Sequence, residues 1–407
     1  MTAPVSPHLI LVTGAAGYVG SHCLVELLTS GYDVVALDNC INAVEGHLPD
    51  TLPESLQRVQ SITGRSLLAY YKADLNNATE LEDIFSKHRF SAVVHFASLK
   101  AVGESCKIPL EYYRNNVGGT MTLLDTMRAH SVRRLIFSSS ATVYGTPEFL
   151  PITEEHHTGR NCTNPYGRTK YFIEEILKDL CASETGWSIT SLRYFNPVGA
   201  HPSGIIGEDC KVPNNLMPYI TQVAVGRQPF LKVLGKDFKT KDGTGVRDYI
   251  HIMDLAAGHV ITLDKILQEG WTGWNVYNLG AGTGYSVLEM ISTFEEATGV
   301  PIPYKICDRR CGDVDELWAD ISKASSALNW KPTRSLADMC AHSWNWQSKN
   351  PMGYRSAAEG DGSANGVRQS PVKVPDAAVA SGVKALNGKS KSFDREVNNN
   401  DEDVTVF

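Results

Sequence analysis

The sequence predicts a doubly wound parallel α/β sheet followed by a smaller C-terminal α/β domain, and three observations carry that prediction. Short apolar runs alternate with helical stretches through the first half of the chain. The runs are continuously apolar rather than alternating, and a glycine-rich turn joins the first of them to the first helix. Strands alternating with helices indicate parallel pairing through crossovers, and unbroken apolar strands are buried on both faces. His8–Thr13 (HLILVT) is the first strand and a helix runs from about Tyr18 to Thr29. Asp33–Leu37, Ala92–Phe96, Leu135–Ser138 and Ile189–Arg193 read as further buried strands. After about Asn196 the pattern loosens into Pro- and Gly-punctuated loops. Residues 8–196 therefore form the expected first domain and 197–350 the second. Val246–Leu255 reads as a strand entering a helix, and residues 246–266 are expected to return to the first domain. From 356 to 407, Gly, Ser, Ala, Asn, Lys and Asp dominate while Trp and Tyr vanish, which predicts a disordered tail.

A chain of 407 residues can bury a large core, and 42% hydrophobic with 20% charged residues is ordinary for a globular protein. A net charge of -7 argues against a general nucleic-acid or anionic-membrane binder. An acidic ligand would have to be met by a few local Arg and Lys residues. Nine Cys are scattered without CxxC pairs, and Cys307 and Cys311 lack the partners that would complete a metal set. No metal is expected, and the thiols suggest a reducing compartment. The N-terminus has no basic leader pattern and no apolar run reaches membrane length, so a cytoplasmic location is expected.

Thr13-Gly14-Ala15-Ala16-Gly17-Tyr18-Val19-Gly20 follows a strand and opens a helix. Gly14 permits the tight turn, Gly17 lets the backbone approach a pyrophosphate, and Gly20 allows close helix–strand packing. The pyrophosphate would sit on the helix N-terminus beside Tyr18 and Val19. Asp38 ends the second strand, where a carboxylate accepts from a ribose 2′-hydroxyl and repels a 2′-phosphate. This Rossmann fingerprint points to NAD rather than NADP.

Ser138, Ser139 and Ser140 end a buried strand, at the edge where doubly wound sheets bind ligands. Tyr166 and Lys170 follow on a helix, four residues apart and so on one face. Alone, a Tyr-x-x-x-Lys spacing recurs by chance. Beside a dinucleotide turn it suggests removal of a carbinol proton while hydride leaves the same carbon. An ammonium and an oxidised nicotinamide would favour the phenolate of a Tyr whose free pKa is about 10.

The segments HFASLKAVGES (95–105), SSSATVYG (138–145), NPYGRTK (164–170), LRYFNPVGAHPSG (192–204), DGTGVRDYIHIMDLA (242–256), YNLGAGTGYSVLEM (277–290) and RRCGD (309–313) go well beyond generic motifs. Over about Leu9 to Lys349 the chain resembles the UDP-glucose (UDP-galactose) 4-epimerases of the extended short-chain dehydrogenase/reductase group. The resemblance implies a tightly held NAD that is reduced and reoxidised in each turnover. It implies that Tyr166 takes the 4-hydroxyl proton with help from Ser140, that the 4-ketohexose swings to present its other face, and that Lys170 binds the nicotinamide ribose and lowers the Tyr166 pKa. It further places Asp38 and Asn39 in the cofactor set, Asp74 and Leu75 at the adenine, Phe96 and Ala97 at the adjoining strand end, and Lys100 and Asn115 near the cofactor. Tyr194 and Asn196 match sugar and phosphate contacts, Tyr194 counting with the cofactor set, and Asn215 matches a phosphate contact. Arg247, Arg310 and Asp313 match diphosphate and uridine-ribose contacts, and a guanidinium can hold a diphosphate bidentately.

Leu317 stands where, by the resemblance, a bulky Tyr excludes N-acetylated sugars and a small residue admits them. Leu is intermediate, so UDP-GlcNAc/UDP-GalNAc interconversion is a second expected activity or even the preferred one. A sugar-nucleotide dehydratase would share the fold, but Ser140-Ala141-Thr142 lacks the carboxylate that elimination of water needs. An ordinary dehydrogenase would exchange its cofactor each turnover, and a cofactor-bound regulatory protein would have little use for the Ser/Tyr/Lys set. Helices near Leu110–Met127 and Pro165–Cys181 are those from which this group builds a homodimer, by the same resemblance.

Overall fold

The structure, a computed structural model, describes residues 8–46, 51–213, 215–310 and 313–355. The predicted tail at 356–407 and Cys311 lie outside the described residues. In chain order the strands are β1 (Leu9–Thr13), β2 (Asp33–Asp38), β3 (Ala69–Lys72), β4 (Ala92–His95), β5 (Arg134–Ser140), β6 (Ser188–Tyr194) and β7 (Asn196–Val198). They continue as β8 (Leu231–Leu234), β9 (Val246–His251), β10 (Gly273–Leu279), β11 (Gly284–Ser286), β12 (Tyr304–Cys307) and β13 (Glu316–Leu317). Seven of them form one parallel sheet in the order β3-β2-β1-β4-β5-β6-β10. The strand order reverses between β1 and β4, the switch point at which such sheets open a crevice.

The continuous apolar runs divide between two layers, as the pleat requires. Ile10, Val12, Val34, Ala36, Ala92 and Val94 join one core with Leu24 and Leu27 of the Tyr18–Thr29 helix and Leu255 and Leu263 of the Ile252–Ile266 helix. Leu11, Val35, Leu37, Val93, Leu135 and Phe137 join the opposite core with Leu81 and Phe85, Leu123 and Met127, and Ile173 and Leu177. Each Val, Leu, Ile, Met or Phe among them contributes roughly 2 kcal/mol on burial. A third core lies in the smaller part of the chain, among helices Leu216–Ala224, Val287–Thr298 and Leu336–Lys349.

The strands expected from sequence are present, with β5 running on to Ser140. In the large sheet two strands were not foreseen, and both lie at its rims. β3 reads AYYK and is half exposed along its length, and β10 reads GWNVYNL, interrupted by asparagines. The expected return of 246–266 is corrected. β9 (246–251) stays in the smaller sheet, pairing with β7, β11 and β13, where its buried carboxylate Asp248 accepts hydrogen bonds from the Ala281, Gly282 and Ala319 N–H groups. The chain returns instead through the 252–266 helix, which lies on the Tyr18–Thr29 helix, and through β10, which pairs with β6.

Candidate active site

A cleft of about 600 Å³ opens at the carboxyl ends of the large sheet. Its lining includes Gly14, Gly17, Tyr18, Val19, Gly20, Asp38, Asn39, Asp74, Leu75, Phe96, Ala97, Lys100, Asn115, Ser140, Tyr166, Lys170, Tyr194, Asn196 and Asn215. Arg247, Arg310, Asp313 and Leu317 stand apart from that lining, as a second group on and beside the smaller sheet.

The turn after β1 is built as the glycine spacing predicts. Gly14 has φ +69, and a Cβ there would sit 2.5 Å from the Ala97 nitrogen, so the β1 and β4 turns touch at the switch point. A Cβ on Gly20 would sit 2.2 Å from the Gly14 oxygen. At Gly17 the nearest atom would be 3.4 Å away, leaving the backbone face open toward the cleft. The helix that starts at Tyr18 has no side-chain cap and no acidic residue in its first turn, so its first N–H groups and positive end suit an anion. Tyr18 reaches across to the smaller sheet, its hydroxyl donating to the Gly199 oxygen at 2.7 Å.

Asp38 is 7% exposed, and its carboxylate accepts from the Ala16 nitrogen at 2.9 Å and the Cys40 nitrogen at 2.8 Å. Burial pushes its pKa up while those N–H groups pull it down. Each oxygen keeps a lone pair for a ribose diol. Asn39, next to Asp38 in the chain, donates to Asp74 at 2.8 Å. Asn115 donates to Asn116 at 2.9 Å, and Asn116 in turn fixes Leu99 from both its backbone N–H and its carbonyl. The donors, the open Gly17 face and the uncapped helix end fit a dinucleotide diphosphate.

The chemistry lies between β5 and the Pro165–Ser183 helix. Asn164 caps that helix by accepting from the Gly167 nitrogen at 2.8 Å, and Pro165 opens it. Tyr166 and Lys170 then face β5. The Ser140 Oγ accepts from the Thr142 N–H at 3.2 Å and the Thr142 hydroxyl at 3.0 Å. Burial raises the Tyr166 pKa, and the Ser140 hydroxyl and the Lys100 ammonium both pull it back. Lys170 is 2% exposed, donates to the Ser138 carbonyl at 2.7 Å, and lies 5.8 Å from the Tyr166 ring centre. Burial brings its pKa down to about 7, with Glu174 opposing. Two lysines, Lys100 and Lys170, thus line the cleft with Tyr166, and Lys170 also donates to the Ser138 carbonyl.

Tyr194 lines the cleft, yet its hydroxyl meets His259 Nε2 in the core. Asn196 is exposed at the start of β7, and Asn215 precedes the Leu216–Ala224 helix. On the smaller sheet, Arg310 pairs with Asp313, and Arg247 approaches the same carboxylate at 3.8 Å. Burial lowers the Arg310 pKa against the pull of Asp313. Leu317 pairs in register with Arg247 and packs on the cluster of Ala141, Val143 and Tyr144 that follows Ser140.

Sequence reasoning missed several groups. Glu208 takes the Lys100 ammonium at 2.7 Å, and Tyr354 and Arg355 also line the cleft. Below the catalytic strand, Glu174 holds Arg193 through two bonds, at 3.0 and 2.6 Å, and also accepts from the Ser139 hydroxyl at 2.5 Å. Glu174 lies one helical turn past Lys170, a spacing that could have flagged it. Glu208, Tyr354 and Arg355 carry no such local signal.

An NAD-type turn, a Ser/Tyr/Lys set and a doubly wound sheet with a smaller appended sheet define an extended short-chain dehydrogenase/reductase. A family model described as GDP-mannose 4,6 dehydratase matches residues 11–343. UDP-glucose 4-epimerase of Drosophila melanogaster is 56% identical over 350 residues, covering 86% of this chain and 99% of that protein. The crystal structure of UDP-glucose 4-epimerase from Bifidobacterium longum in complex with NAD+ and UDP is 50% identical, with a TM-score of 0.79 over 85% of this chain and 99% of that one. The Stenotrophomonas maltophila enzyme with bound NAD and formylated UDP-arabinopyranose is 44% identical, with a TM-score of 0.78 over 84% and 98%. The chain belongs to the UDP-glucose 4-epimerase family.

Proposed function

We propose that this protein interconverts UDP-glucose and UDP-galactose by inverting C4 of the hexose with a retained NAD. One observation carries the reading: a single cleft joins the Gly14–Gly20 turn and Asp38 to Ser140, Tyr166 and Lys170, with no carboxylate at 141 or 142. That absence speaks against the dehydratase alternative, which the identity to 4-epimerases also disfavours. Gly14, Gly17, Tyr18, Val19 and Gly20 would hold the pyrophosphate, Asp38 and Asn39 the adenosine ribose, and Asp74, Leu75, Phe96, Ala97 and Asn115 the remaining wall. Bound NAD supplies an acceptor for the C4 hydride that gives the hydride back, so the sugar leaves at its starting oxidation state. Tyr166 as phenolate takes the proton of O4 and later returns one. Ser140 hydrogen-bonds at the same oxygen. Lys170, which donates to the Ser138 carbonyl, would also hold the nicotinamide ribose and favour the Tyr166 phenolate, with Lys100 adding positive charge in the same cleft. Asn196, Asn215, Arg247, Arg310 and Asp313 would meet the UDP portion, the two guanidinium groups suiting its diphosphate.

Incubation of the purified protein with UDP-galactose and no added NAD tests the reading. UDP-glucose should form without NADH release. NADH accumulating with oxidised sugar would mark a dehydrogenase instead, and no product would end the proposal.

Leu317 beside Ala141 supports a second activity on UDP-GlcNAc and UDP-GalNAc, since a branched aliphatic leaves more room than a phenol ring. Absence of any UDP-GalNAc from UDP-GlcNAc would remove it. A homodimer is supported by Leu110 (60% exposed), Met121 (50%) and Phe172 (43%) on the two helical stretches named above; sedimentation at the monomer mass would oppose it. Among the described residues no helix is long and apolar enough to cross a membrane. With the scattered thiols, this supports a cytoplasmic location, which microscopy of a tagged chain would check.

A further inference from the structure

The proposed reaction leaves Arg58 without a role, yet its guanidinium joins stretches of chain that meet at the cleft. Arg58 lies on the Glu54–Thr63 helix of the dinucleotide half. The same helix touches the glycine turn, where the buried Ser55 hydroxyl donates to the Ala16 carbonyl at 2.8 Å. Arg58 Nε donates to Glu54 at 2.7 Å. Its Nη1 donates to the Ile205 carbonyl at 2.9 Å and to the Asn350 side-chain oxygen at 2.7 Å. The guanidinium carbon lies 5.1 Å from the centre of the Tyr354 ring and 5.8 Å from that of Trp346.

Those rings hold a wall of the cleft. Residues 207–212, in the loop after β7, line it together with Tyr354 and Arg355. The Trp346 indole donates to the Glu208 carbonyl at 3.1 Å, and the Gly207 N–H donates to the Tyr354 hydroxyl at 3.2 Å. A Cβ on Gly207 would sit 2.3 Å from the Trp346 ring, so the loop backbone lies directly on the indole. Asp209 accepts from the Tyr354 N–H at 3.0 Å and pairs with Arg355 at 2.7 Å. Val44, which lines the cleft in the loop after β2, packs against the cluster that both rings form with Ala200.

We propose that Arg58 is a positioning residue for the cofactor, latching the Gly207–Val212 wall to the dinucleotide half so that bound NAD is retained. The inference deepens the reading of a retained NAD and rests on it. The Gly14–Gly20 turn, whose uncapped helix end suits the pyrophosphate, and the loop wall belong to one cleft. A dinucleotide seated on that turn leaves when a wall of the cleft moves outward. Tyr18 and Lys100 hold the same loop at Gly199 and Glu208, but both line the cleft and belong to the expected cofactor set. Arg58 stands outside the lining, so NAD does not compete for its contacts. Its grip combines hydrogen bonds from a cation with stacking on a ring, neither of which a methionine of similar length can supply.

The test follows exchange of bound NAD for isotope-labelled NAD in the NAD-bearing protein, with no sugar present. The variants are Arg58→Met, Tyr354→Ala and the double, with Ile302→Ala in the third core as a substitution outside the latch. Arg58→Met and Tyr354→Ala should each speed exchange by about tenfold or more, and the double no further than the faster single. Exchange at the parent rate in Arg58→Met overturns the proposal, as does acceleration that multiplies in the double variant. Equal acceleration by Ile302→Ala overturns it too, because a general loosening of the fold then explains the effect. Thermal unfolding checks each fold. Arg58→Lys, which keeps the charge but lacks the planar fork, carries the test should the methionine variant not fold. The exchange needs no turnover. A parent protein that fails to convert UDP-galactose ends the epimerase reading while the latch is still decided.

Discussion

Tyr166 and Lys170 share a helix face and line the same cleft, and the lysine also braces β5 through the Ser138 carbonyl. Replacing Tyr166 by Phe should lower kcat by about a thousandfold, as loss of a positioned base does, with the thermal midpoint little changed. Steady-state assays with UDP-galactose check this. Filling the space beside Ala141 with Leu317→Tyr should cut kcat/KM for UDP-GlcNAc relative to UDP-galactose by about tenfold or more. A ratio unchanged by that substitution would mean residue 317 does not face the sugar. Spacing made Tyr166, Lys170 and the glycines legible, because a helix or a tight turn is a local rule. The ion pair of Lys100 with Glu208 was not legible in this sense, since its two partners lie far apart along the chain and only the folded loop brings them together.

Among the secondary-structure elements, the Pro165–Ser183 helix and β6 are fastened by a buried ion pair, with Glu174 0% and Arg193 2% exposed at the side chain. Arg193 also donates to the Tyr144 hydroxyl at 3.0 Å, and Tyr144 donates to Asn278 on β10 at 2.6 Å, so one network spans β5, β6 and β10 from beneath. Glu174→Gln leaves the guanidinium without its counter-charge and should cost about 3–5 kcal/mol in urea unfolding. Gly20→Ala forces a Cβ onto the Gly14 carbonyl and should cost about 1–3 kcal/mol, with weaker NAD retention because the turn must shift. Retained NAD and unaltered stability would contradict that packing. The buried strands were readable because apolar continuity is a strong signal, whereas β3 and β10 were not, since a rim strand needs only one buried neighbour and tolerates Tyr, Asn and Lys. The helix at 252–266 could be foreseen as returning, but the place where the chain changed sheets could not. There Asp248 takes its three backbone donors from distant loops.

At the scale of the whole molecule, four buried histidines make the fold sensitive to acid. Burial holds His22 and His95 down to about 3, His251 to about 2 and His259 to about 4. These values lie below the unfolded value of about 6.5, so their contribution is intact above that pH and is lost as pH falls toward the folded values. At about pH 5.5 each costs roughly 1.4 kcal/mol, or roughly 5–6 kcal/mol together. Urea unfolding at neutral pH and at about pH 5.5 should show a loss of this order, and equal stability at the two would refute it. The crossing of the chain between its two sheets has another consequence, for synthesis. β10 and the 252–266 helix close the dinucleotide half, yet the ribosome makes them only after β7, β8 and β9 of the other half. Until Leu279 has emerged, the side of β6 away from β5 is an open edge, on a strand that is buried along its whole length in the finished fold. The nascent chain must pass through a stage in which its most aggregation-prone edge is bare, and shielding of that edge is where a folding helper would matter most.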